Sequence, residues 1–417
     1  MKRKKNQNLR VMQEPEDPTD KLVEELIKEL NDEDNPQENL EAMTRKLRWK
    51  KQRNKWIFIV VCVLAVVGIY LLINLQTYTT ARISEVYSIS GAGNNNYREF
   101  EDGVLKYSRD GIAYLNQKGE EEWNQSYQIK NPTIVIGNSA AVVYDQSGND
   151  IMVLQKDGVK GEVETNMPIE RVAVSSQGIV GAILKNGESA MVMCYDAKGN
   201  VLVEHKTSMS GTGYPMNVSL SNDGKTMQVL YLYTKEGKIT SRVVYYNFGE
   251  NGEDKTDHQV LEKKYEDTIM ATGFYMDDTT SVAIGDNRLC IYQGTDTPEE
   301  TASIKIKKDI KSVFHSDKYI GMVLKNKNAT GYELRMYNTS GNKILSKSFE
   351  GTYDNIKYSD DQIIMYDGKK CNIYKKNRVH KFEGSMENNI LEIIPITGVN
   401  RYIVISTDGM EKVRLVK

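Results

Sequence analysis

The sequence predicts an all-β propeller carried on a single membrane-spanning helix, behind a short, partly helical cytoplasmic arm. Three observations carry that expectation. An uncharged run extends from Trp56 to Leu75, and a basic block stands directly before it. Beyond Ala81, short alternating runs rich in Val, Ile and Tyr recur at a nearly constant interval.

The segment "KWIFIVVCVLAVVGIYLLINL" gives about twenty uncharged residues, enough at 1.5 Å per residue to cross a hydrocarbon core of roughly 30 Å. Trp56 and Tyr78 flank it, as amphipathic rings do at membrane interfaces. Arg45, Lys46, Arg48, Lys50, Lys51, Arg53 and Lys55 precede the run, against Arg82 alone on the near far side. Basic flanks stay in the cytoplasm, so the N-terminus is expected inside and the bulk of the chain outside. The apolar core is too long, and begins too late, for a cleaved signal peptide. Gly68 is its only glycine, which excludes a GxxxG dimerisation face. The expected division is a cytoplasmic arm at 1–55, a span at 56–75 and an extracytoplasmic propeller at 82–417.

The arm opens on a polar stretch, residues 1–18, whose composition predicts disorder. In "TDKLVEELIKEL", Leu22, Val23, Leu26, Ile27 and Leu30 form one stripe, a short helix that needs a surface to persist. Pro36, at a first-turn position, starts a second helix that is expected to run straight into the span.

Beyond the span, polar turns separate runs with period-two alternation, the signature of β-strands. An apolar strand ending in Tyr or Leu recurs, followed by a polar turn and a charged strand, as in "IAYLNQKGEEEW", "IMVLQKDGVKGEV" and "VMCYDAKGNVLVEH". Aligning Tyr114, Leu154, Tyr195, Tyr246, Tyr292, Tyr337 and Tyr374 gives spacings of 37–51 residues, the period of four-stranded propeller blades. An eighth copy falls near Arg414, where the chain ends before an outer strand. The segment Ala81–Ile89 can supply that strand and close the ring without an open edge. Eight blades are therefore expected, with seven as the alternative count. Asn131-Pro132, Met167-Pro168 and Tyr214-Pro215 open new inner strands, where proline's missing N–H costs little. Asn222-Asp223-Gly224 makes the clearest inner hairpin turn, and the longest insertion spans Asn247–His258. On this topology the chain leaving the membrane enters on the rim that carries the turns Gln117–Gly119 and Ala197–Gly199. That rim is expected to face the lipid, with the proline loops pointing away.

The runs "YSRDGIAYLNQKGEEEWNQSY" and "GYPMNVSLSNDGKTMQVLYLY…SRVVYYNFG" resemble a family of unknown function. Its members are single-pass membrane proteins of clostridia and related Gram-positive bacteria, with WD40- or quinoprotein-like propellers. The resemblance implies an outward-facing propeller on a bacterial membrane and transfers no functional residue. Trp123 is the only tryptophan beyond the span, so the regular tryptophan dockings of quinone enzymes are missing and no cofactor is expected.

Chemistry-bearing constellations are scarce. His205, His258, His315 and His380 are dispersed without metal-ligand spacing, and no metal site is expected. Cys62 lies in the span, while Cys194, Cys290 and Cys371 recur in the third strands of separate repeats and read as small buried side chains. Asp277-Asp278 and Asp360-Asp361 fit hairpin turns better than calcium loops. Neither a nucleophile elbow nor a phosphate-cradling loop occurs, and the net charge of −2 disfavours nucleic acid. No catalytic residue is assigned, and the chain is not expected to be an enzyme. The expected function is a protein- or ligand-binding scaffold at the cell surface, with a protein or envelope polymer as partner. Tyr214 and Pro215 are the binding candidates, on an exposed rim away from the membrane. The alternatives are a glycan- or peptide-processing hydrolase or lyase with paired carboxylates at the channel mouth, and a sensor acting through the Leu22–Leu30 helix.

Overall fold

The computed structural model describes residues 36–417, except 236, 327–329 and 378. The expectations for residues 1–18 and for the Leu22–Leu30 helix lie outside the described residues. The chain divides into two compact units, Met1–Gln76 and Thr77–Lys417.

In the first unit one helix, α1, runs unbroken from Pro36 to Asn74. Helix propagation carries the basic block directly into the apolar run, as the absence of any Gly or Pro between Pro36 and Gly68 requires. The stretch Thr44–Leu72 is long and apolar enough to cross a membrane. Its large side chains, from Trp56 through Phe58 and Leu64 to Leu72, are exposed.

The second unit is an eight-bladed propeller, each blade a four-stranded antiparallel sheet. Seven blades are contiguous in sequence. The first takes Asn96–Phe100, Gly103–Tyr107, Gly111–Leu115 and Glu121–Ser126 from the channel outwards. The eighth consists of Ile390–Pro395, Arg401–Ser406 and Gly409–Val416, with Thr80–Tyr87 as its outermost strand. Thr80 pairs with Val416 and Tyr87 with Met410, so the two ends of the propeller close the ring between them. Ser84 Oγ adds a bond of 2.9 Å to the Lys412 carbonyl. The inner, second, third and outer strands alternate in direction. Outer-to-inner crossovers and second-to-third turns therefore share one rim, the crossover rim. The other turns share the opposite, hairpin rim. Thr77 arrives on the hairpin rim, where its hydroxyl donates to the His380 carbonyl.

In all eight blades the third and outer strands pair through a bulge that leaves one outer-strand residue unpaired. The extra residue sharpens the local twist that lets blades fan around an axis. It falls at Leu154, Tyr195, Tyr246, Tyr292, Tyr337 and Tyr374, on the aligned positions. In the first blade it falls at Leu115, one residue past Tyr114, because both side chains are buried and apolar pattern alone does not separate them. In the eighth blade it falls at Val413, beside the expected Arg414.

Each blade buries its faces against its two neighbours, giving eight hydrophobic clusters, one per blade junction. Second strands such as Ala141–Asp145 are buried throughout, whereas outer strands such as Glu121–Ser126 alternate with solvent. Each fully buried Val, Leu or Ile contributes about 1.5–3 kcal/mol. Tyrosine is the large filler: Tyr97, Tyr114, Tyr231, Tyr245, Tyr292, Tyr366 and Tyr402 are almost wholly buried. Their hydroxyls find partners inside, such as Tyr231 with Tyr246 at 3.0 Å and Tyr245 with Ser281 at 2.8 Å. The abundant tyrosines thus hold blades together.

Candidate binding rim and channel

The inner strands line the central channel, and the seam around the eighth blade carries its main charge cluster. Lys357, in the inner strand Asn355–Ser359 of the seventh blade, reaches Glu392 of the eighth at 2.6 Å and Glu99 of the first at 2.8 Å. Ser359 Oγ donates to the other Glu99 oxygen, and Tyr366 OH to Glu392. Burial disfavours the Lys357 charge, yet Glu392 and Glu99 outweigh it and raise its pKa. These are the convergent channel carboxylates that a hydrolase would need. The Lys357 ammonium bridges the two carboxylates.

A second ion cluster lies on the crossover rim of the sixth blade. Glu333 accepts from Lys308 at 2.6 Å, from both Arg335 nitrogens at 2.7 Å and from Ser346 at 2.9 Å. Burial alone would raise its carboxyl, but these donors prevail and hold it at about 2. The donor set is consumed internally, so this cluster is structural.

Tyr214 and Pro215 do begin the inner strand Tyr214–Leu220 on the crossover rim. Tyr214 is half-buried, and its hydroxyl donates to Glu170 Oε2 at 2.6 Å. Pro215 is buried, pairs with Tyr231 and sits at a bulge, where its lack of an N–H is harmless. It is a packing residue and offers no exposed surface.

The histidines do not converge. His205 packs at a tilt against Tyr246 with centroids 4.5 Å apart, and His380 stacks on Tyr374 at 4.5 Å. Burial lowers both imidazoles, favouring the neutral form. His315 lies flat on Phe274 with centroids 3.9 Å apart. Desolvation against this ring lowers its pKa. His258 Nδ1 contacts the Gly252 carbonyl in the insertion. Cys194, Cys290 and Cys371 are buried free thiols, and burial raises Cys194 and Cys371 to about 12. Asp277 accepts from the Thr279 and Thr280 N–H groups, and Asp360 and Asp361 adopt left-handed backbone, so both acidic pairs shape turns.

Two cationic side chains without partners among the described residues meet elsewhere on the crossover rim, between the first and second blades. An open recess of about 460 Å³ is walled by the start of the first inner strand, the Ser108–Asp110 turn and the crossover Lys130–Thr133. Its walls are pinned: Ile129 N–H donates to the Arg109 carbonyl at 2.9 Å, and Asn131 N–H to Asp145 Oδ1 at 2.9 Å. Arg109 and Lys130 project exposed side chains from this frame. Among the described residues neither makes a side-chain hydrogen bond or ion pair. Asn94, Asn96 and Thr133 add amide and hydroxyl groups. A neighbouring recess of about 330 Å³, across the same crossover, is lined by Asp150, Glu162 and Glu164. The two recesses set a basic and an acidic surface side by side.

Sequence reading missed these residues. The available signal is a charged turn, "SRDG" at Ser108–Gly111, and a charged crossover, "KNP" at Lys130–Pro132, which topology brings to one junction. Glu99, Lys357 and Glu392 carry no local signal: Lys357 and Glu392 stand 35 residues apart on successive blades, and Glu99, 258 residues from Lys357, reaches it only through ring closure.

Solved structures confirm the architecture. The computationally designed Ika8 protein matches at 12% identity and TM-score 0.51, over 80% of this chain and 99% of its own. Sqt1 of Saccharomyces cerevisiae matches at 12% and 0.50, over 82% of this chain and 99% of its own. BamB of Moraxella catarrhalis matches at 14% and 0.48, over 81% and 100%. At such identities the likeness concerns fold alone. No curated protein matches the sequence. Residues 74–415, the whole propeller but for its last two residues, match the profile of a family of unknown function, DUF5711, and the chain belongs to that family.

Proposed function

We propose that this protein is a membrane-anchored, extracytoplasmic binding scaffold whose crossover rim engages a protein or envelope polymer. The observation that carries the reading is the pair of oppositely charged recesses at the junction of the first two blades, whose charged side chains have no partners among the described residues. Uncommitted charge on pinned loops is what a docking surface requires, since its desolvation is repaid only by a partner. The basic block before the apolar part of α1 supports an N-terminus inside and a propeller outside. We assign no reaction; in the channel, Lys357 bridges Glu99 and Glu392.

The test is crosslinking capture by the tagged full chain in intact membranes. Wild type should recover a specific neighbour, and R109E together with K130E should lose it. K118E, an exposed substitution at a third-to-outer turn on the hairpin rim, should retain it. Recovery by the rim variant, or loss only with K118E, would place the binding face elsewhere.

A further inference from the structure

We infer that the recess between the first and second blades is a binding site for a hydroxylated small anion. The ligand class is a polyol or sugar unit bearing one terminal phosphate or carboxylate. This rests on the binding-scaffold reading and names its chemistry.

The argument starts from charge. Arg109 and Lys130 supply two cationic heads to one recess whose only acidic lining residue is Asp110. A guanidinium offers a planar pair of donors that fits phosphate or carboxylate edge-on, while an ammonium adds a compact second charge. Both side chains are uncommitted within the fold, so an arriving anion breaks no existing pair. The volume of about 460 Å³ falls within the usual range for small-ligand sites. The lining is unusual for an apolar ligand, being built from Asn94, Asn96, Ser108, Asn131 and Thr133. Amides and hydroxyls both donate and accept, as the hydroxyls of a polyol demand. Pro132 supplies the one flat apolar face, against which a sugar ring can lie.

The neighbouring acidic recess sets the ligand's length. Asp150, Glu162 and Glu164 lie across the crossover Tyr127–Ile129, so a polyanion extending outwards would meet like charge. The site therefore favours a single terminal anion over a continuous polyanion such as nucleic acid. Pinning of the walls by the Ile129 and Asn131 N–H bonds means the recess needs little ordering on binding.

The experiment is calorimetric titration of the full chain in detergent with glycerol 3-phosphate, galacturonate, inorganic phosphate and glucose. At least one of the first two should bind, each more tightly than glucose. Binding by glycerol 3-phosphate alone assigns phosphate as the anion, and binding by galacturonate alone assigns carboxylate. R109Q and K130Q should each weaken binding about tenfold, and the double variant should abolish it, with an unchanged thermal midpoint because neither side chain has a partner in the fold. Equal binding of glucose, tightest binding of bare phosphate, unaltered binding by the double variant, or no binding of either probe overturns the inference. Neighbour capture that still depends on Arg109 and Lys130 in that case leaves the scaffold reading standing, so the two failures are distinguishable.

Discussion

The fourth and eighth blades have the same four-stranded form and draw their strands from differently spaced parts of the chain. The fourth is local. It runs without interruption from Tyr214 to Glu266, and its second and third strands, Thr226–Lys235 and Lys238–Asn247, are the longest in the ring at ten residues each. Neutral hydrogen bonds stitch its interior, Tyr231 to Tyr246 and Gln228 Nε2 to Tyr245 OH at 2.6 Å, and the Arg242–Glu262 ion pair joins its third and outer strands. The eighth joins residues from the two ends of the domain, with Ser84 bonding Lys412 across 328 positions. It is fastened by ions, Lys412 to Glu85 on its outer side and Lys357 to Glu392 on its inner side. A blade made from neighbouring chain can rely on packing and register. One made from distant chain also has to offset a larger closure entropy, and here it carries added charge pairs at its seam.

The largest test of that contrast is truncation. A chain beginning at residue 88 removes all seven paired residues of the closing strand and exposes the edge of Gly409–Val416. It should lose cooperative thermal unfolding and aggregate. The exposed substitution E250Q in the fourth blade's insertion should cost about 0.5 kcal/mol or less. Comparable damage from both would show that ring closure has no special weight.

Substitution gives the next effect. K357M strands Glu392, only 2% exposed, and Glu99 without their shared counter-charge, and should cost about 3–5 kcal/mol in denaturant unfolding. Tyr246→Phe removes one neutral bond in the fourth blade and should cost about 1 kcal/mol. Equal costs would remove the ionic character of the seam.

The smallest effect is a pH dependence in the sixth blade, where Glu333 combines local chain with ionic fastening. Its carboxyl is held at about 2, below the ordinary 4.5. The stabilisation is therefore complete above about 4.5 and is lost as pH falls towards 2. Thermal midpoints between pH 5 and 2.5 should fall less steeply for E333Q than for wild type. Parallel slopes would mean that other carboxylates govern acid unfolding.

The contrast also explains what the sequence disclosed. Blade number, the inner turn at Asn222–Gly224, the proline-led inner strands and the closing strand after the span were all legible, because each depends on local pattern or on one repeat length. Ser221 Oγ bonding Asp223, and Asp223 accepting from the Lys225 N–H, show that turn chemistry acting as residue type predicts. The bulge at Leu115 was missed because adjacent buried residues are equivalent until a partner strand sets the register. Pro215 was expected on the surface, yet a bulge draws it inside. Lys357 was invisible: a lone lysine in "DNIKYSDD" gives no sign that two glutamates from other blades will meet it. The recess at Arg109 and Lys130 lay between these cases, with its charges readable and their convergence not.

The joining of Thr80 to Val416 has a consequence for how the protein is made. The closing strand is the first part of the propeller to be synthesised, and its partner, Gly409–Val416, is among the last. At about 5–20 residues per second, the interval between them is on the order of 20–60 s. Throughout that time seven blades can form while the ring stays open, and a chain that stops early has nothing to latch onto its waiting strand. Closure of the ring thus reports that synthesis has passed Val416.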